Sequence, residues 1–62
     1  MRHVKQVVYM EGEIVKRENY DHDAYDVTHR DNRVVVTRLE DDMMVAIFNW
    51  FYVVLIGEDW VY

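Results

Sequence analysis

Two runs of Val, Ile and Tyr broken by charges, "HVKQVVYM" and "EIVKREN", meet at Glu11-Gly12. Glycine supplies the positive φ that a two-residue hairpin turn needs. With Met10 opposite Glu13, Tyr9 meets Ile14, Val7 meets Lys16 and Lys5 meets Glu18. The last is a favourable cross-strand charge pair. A second hairpin is expected in "AYDVTHRDNRVVVTRL", turning at Asp31-Asn32, residue types that tolerate left-handed backbone. Its register sets Val27 against Val36, Tyr25 against Arg38 and Arg30 against Arg33. Residues 20–30 fit a strand, a short helix or a loop.

The third pattern is the apolar segment "MMVAIFNWFYVVLI", Met43 to Ile56, interrupted only by Asn49. As one strand it would be apolar on both faces and would need a covering layer on each side. A 62-residue chain scarcely supplies two such layers. The spacing therefore predicts a helix over its first half. Thr37 and Glu40 match a capping box, and Glu40, Asp41 and Asp42 put negative charge at the helix start. Leu39, Met43, Ile47 and Trp50 then form one stripe, and Asn49 ends the helix. Phe51–Ile56 follows as a buried strand. Gly57-Glu58-Asp59 turns, and Trp60–Tyr62 returns as a short strand.

The expected fold is α+β over 1–62 as a single small domain. Two hairpins form an antiparallel sheet packed with one helix, in the order β-β-β-β-α-β. The alternative is an all-β, SH3-like barrel in which Met43–Phe48 is a strand after a Glu40-Asp41-Asp42 turn.

Charge sharpens this picture. Residues 1–39 hold seven acids and seven bases, whereas residues 40–62 hold five acids and no Lys or Arg. The net charge of −5 thus belongs to the apolar tail. Clustered cations for a nucleic-acid backbone are missing there, although the tail holds six of the nine aromatics. Membrane insertion is disfavoured, because fourteen residues as a helix reach only about 21 Å, short of a bilayer core of about 30 Å. The chain has no cysteine, which excludes disulfides and thiolate metal sites and fits a reducing cytoplasm.

Candidate chemistry is sparse. Serine and cysteine are absent, and no glycine-rich phosphate loop exists. The sequence reads as a non-enzyme without cofactors. His22, Asp26 and His29 would share a face if their segment were helical, and two imidazoles with a carboxylate suit iron or zinc. The competing expectation for these residues is a solvated polar loop.

The tail carries more large apolar side chains than one helix and one strand can hide. Met44, Phe48, Trp50, Phe51, Tyr52 and Trp60 are therefore candidate interface residues. Glu40, Asp41, Asp42, Glu58 and Asp59 form a candidate acidic patch. The expected function is a non-catalytic protein-binding module. In size and character the chain resembles small acidic inhibitors made by phages and mobile elements, which implies a regulator of a larger protein. The alternatives are a homodimeric interaction protein and a His/Asp metal-binding protein.

Overall fold

In the computed structural model, which describes all 62 residues, the chain forms six strands, the last of which returns to pair with the first. They are β1 (Arg2–Glu11), β2 (Ile14–Asp21), β3 (Tyr25–Arg30), β4 (Arg33–Arg38), β5 (Met43–Asn49) and β6 (Val53–Val61). A single 3-10 turn, Trp50–Tyr52, joins β5 to β6. Two antiparallel sheets result, sheet A in the order β2-β1-β6 and sheet B in the order β3-β4-β5. This corrects the α+β expectation and agrees with the all-β alternative.

Local chemistry sets the turns. Gly12 takes φ +62 at the first central position of a Gly12-Glu13 turn, where such hairpins favour glycine. The hairpin therefore closes as Glu11↔Ile14, with Tyr9↔Lys16 and Val7↔Glu18, two residues away from the expected register. A shift of two leaves every side chain on its expected face, because strand side chains alternate with period two. The β3–β4 hairpin has the expected register, with Val27↔Val36, Tyr25↔Arg38 and Arg30↔Arg33, and Asp31 turns at φ 52.

The expected helix is a turn followed by β5. Asp42 stands at φ 57. Asp41 Oδ1 accepts the Met43 N–H at 3.2 Å and the Arg38 Nε–H at 3.0 Å. A carboxylate that accepts an N–H two residues on stabilises a turn as readily as a helix start. Thr37 lies within β4 opposite Met44 and caps nothing. Asn49 does not end a helix either: its Oδ1 accepts the Phe51 N–H at 3.0 Å and opens the 3-10 turn. Gly57 pairs with Gln6 in mid-strand, so β6 runs on through the expected Gly57–Asp59 turn to Val61.

The sheets meet through the odd-numbered face of β1. Tyr9 packs on Phe48 with ring centroids 4.8 Å apart, and the Lys5 ammonium donates to the Tyr25 carbonyl at 2.7 Å. Val7 shares that face and meets the side of β4 that carries Val34 and Val36, the latter two opposite Phe48 and Ala46. Val7, Val34 and Val36 are fully buried, as is Val4 on the other face of β1, with Val8 nearly so. Gln6, the one buried polar side chain, donates to Asn19 Oδ1 at 3.0 Å. Five valines are a thin core for 62 residues. The accessible surface is 4719 Å², whereas a folded monomer of 7.6 kDa exposes about 4,300 Å² by the usual scaling.

Candidate interaction surface

Each sheet has two unpaired edges, and they differ in chemistry. The β2 edge carries Lys16, Arg17, Glu18 and Asp21, and the β3 edge carries Asp26, His29 and Arg30. Charged side chains of this kind protect an edge from pairing with another strand. The β5 edge reads Met43-Met44-Val45-Ala46-Ile47-Phe48-Asn49 and has no charge at all. Its neighbour along the chain, β6, is uncharged from Val53 to Gly57.

A bulge explains why β5 looks apolar on both faces. The ladder shifts between Val36 and Thr37, so Val45 is an extra residue. Beyond it the alternation flips. Ala46 and Phe48 point to the core opposite Val36 and Val34, while Met44 and Ile47 point outward opposite Thr37 and Val35. Met44 is 55% exposed and Ile47 50%. With Val35 and Leu39 they floor a shallow trough on the outer face of sheet B.

The trough has opposite charges at its two ends. Arg30 and Arg33 face each other at the β3–β4 turn, and Asp42 stands at the β4–β5 turn. None of the three has an ion-pair partner within the chain.

The six expected interface residues fall into four places. Met44 lies on the trough and Phe48 on the core side of β5. Trp50, Phe51 and Tyr52 make up the 3-10 turn. There Trp50 stacks on His29 with centroids 3.7 Å apart, Phe51 is 89% exposed and Tyr52 57%. Trp60 lies on sheet A, stacked on His3 at 4.2 Å. Ile47 and Leu39, on the helix stripe that the spacing predicts, lie instead on the open face with Met44, Ile47 through the Val45 bulge and Leu39 from the β4–β5 turn.

The acidic residues divide between the two sheets. Glu40, Asp41 and Asp42 occupy the β4–β5 turn, and Glu58 and Asp59 lie on β6. Asp41 is held by Arg38, Oδ2 to Nη2 at 2.6 Å. That hydrogen bond keeps the Asp41 carboxyl below its usual range and the Arg38 guanidinium above its own. Glu58 Oε1 lies 2.6 Å from His22 Nε2 and 3.4 Å from His3 Nε2. Asp59 Oδ1 accepts the Trp60 N–H at 2.8 Å.

The expected His22, Asp26 and His29 set is not assembled. These residues lie on a turn and a strand, so the helical face they need does not exist. Asp26 accepts the Thr28 hydroxyl at 3.1 Å, and His29 stacks on Trp50. His22 instead joins His3 and Glu58, whose ligand atoms all lie within 4.8 Å of one another. No helix is long and apolar enough to cross a membrane. No family model, curated protein or solved structure matches the chain.

Proposed function

We propose that this chain is a non-catalytic interaction protein that works as a homodimer, with the β5 edges of two copies paired antiparallel. The observation that carries this is the uncharged free edge of β5 beside an open trough whose floor is Val35, Leu39, Met44 and Ile47. Antiparallel pairing about a two-fold axis extends sheet B to six strands and satisfies the edge N–H and C=O groups. It also sets the Asp42 end of one trough beside the Arg33 end of the other, bringing two of the three unpaired charges together. Met43, Met44, Val45 and Ile47 are each 42–55% exposed, apolar surface that such a pair would cover.

A basic partner is the weaker alternative. Two of the five acids, Asp41 and Glu58, are already engaged within the chain. The proposal places the dimer in the reducing cytoplasm, where a chain without cysteine loses no disulfide.

Light scattering behind a sizing column, at tens of micromolar, tests the proposal. The expected mass is twice 7.6 kDa. A mass that stays at 7.6 kDa overturns it.

A further inference from the structure

A second constellation lies at the other end of sheet A. His3 comes from β1, His22 from the β2–β3 connection and Glu58 from β6. The His22 backbone N–H donates to the His3 carbonyl at 2.9 Å, which sets the two residues side by side. Their rings stack with centroids 4.0 Å apart and planes 9° apart, and Trp60 covers the free face of His3. Both Nε2 atoms approach the same oxygen, Glu58 Oε1, at 2.6 and 3.4 Å.

We infer that His3, His22 and Glu58 form a site for one divalent cation of the zinc class.

The donor set is two imidazole nitrogens and one carboxylate oxygen, with no thiolate. That set suits zinc and its late first-row neighbours, and three protein ligands leave a position for water. The spacing fits. Donors bound at about 2.0 Å around a tetrahedral ion stand about 3.3 Å apart, and the ligand atoms here lie within 4.8 Å of one another. The parallel rings aim their Nε2 atoms side by side, so closing on one ion requires rotation about the Cβ–Cγ bonds. That torsion is broad for histidine, and the rotation is cheap.

A supporting shell is also present. His22 Nδ1 lies 3.1 Å from Asp23 Oδ1. An ionised carboxylate only accepts, so Nδ1 donates to Asp23 and, by the same rule, Nε2 donates to Glu58. An ion bound here takes the place of the Nε2 proton, which is released, while Nδ1 keeps its own. Carboxylate–histidine–metal relays of this form orient the ring and raise its basicity. The nearby cation Arg2 is paired with Asp21 at 2.8 Å, which offsets its repulsion. An ion here would tie β1, the 22–24 connection and β6 together in a domain whose core is five valines.

Zinc titration by calorimetry, followed by histidine ring resonances, tests the site. One ion per chain is expected, with the His3 and His22 rings shifting and His29 unmoved. At zinc a hundredfold above the dissociation constant, the melting midpoint should rise by at least about 10 °C. His22→Gln and Glu58→Gln should each weaken binding at least about 30-fold, and Asp23→Asn about tenfold. His29→Gln should leave binding unchanged. Light scattering should show one mass with and without zinc. Ring resonances of His3 and His22 that do not move overturn the inference, and the cluster is then a stacked clasp without metal. So does a His29→Gln loss equal to that of His22→Gln, or a mass that doubles only when zinc is added.

Discussion

If two copies pair through β5 as proposed, replacing Ile47 with lysine should leave single chains of 7.6 kDa that keep their β-sheet spectrum. Ile47 points outward from β5 opposite Val35 and is half exposed, so the fold of one chain does not depend on it. In an antiparallel β5 pair it sits at the seam, and the two-fold axis makes every substitution occur twice. Covering the exposed half of an Ile is worth roughly 0.75–1.5 kcal/mol per copy. Doubled, that weakens association about 10- to 10²-fold before the two lysines repel each other. Lysine on an edge strand is also the commonest natural block to strand pairing. Ile14→Lys is the control. Ile14 is 63% exposed at the tip of the first hairpin, and the substitution should leave the mass unchanged. A dimer that survives Ile47→Lys would place the interface elsewhere.

Val36→Ala should be the most damaging conservative change in the core. Val36 is fully buried between Val27 and Ala46. Removing two methyl-sized groups costs about 0.8 kcal/mol each in transfer, and the residual cavity brings the loss to about 2–3 kcal/mol. A domain of 62 residues holds only about 3–9 kcal/mol in total. The loss is therefore a large share of the whole, and urea midpoints should fall accordingly. Association stabilises the folded chain by mass action, so the comparison belongs at one fixed protein concentration. A loss below about 0.5 kcal/mol would mean that Val36 is not part of the working core.

The hairpins were legible in the sequence because local chemistry decides them. Gly12 and Asp31 both mark a change of direction, and both stand at positive φ. The β3–β4 register follows from Val27 and Val36 facing each other. The first hairpin slipped by two because Gly12 can hold either central position of a turn, and both registers keep the faces intact.

The helix was misread for two physical reasons. Asp41 and Asp42 stabilise a tight turn with the same side-chain acceptors that cap a helix. The Val45 bulge breaks the period-two alternation, so Met44, Ile47, Ala46 and Phe48 look apolar all round. The premise behind the misreading, that a strand apolar on both faces needs two layers, still holds as physics. The chain supplies only one of those layers, and the outer face of β5 is left open. The His3, His22 and Glu58 cluster was not legible, because its members are separated by 19 and 36 positions in the sequence. Only the pairing of β1 with β6 and the backbone bond from His22 to His3 bring them together.

Hydrogen exchange at the alternate β5 amides that point away from β4 probes the central claim most directly. If a second copy covers that edge, those amides exchange slowly at high protein concentration and lose protection on dilution below the dissociation constant. Exchange at the rate of a free strand, at every concentration up to the millimolar range, would show that the edge faces water and that no second copy sits there.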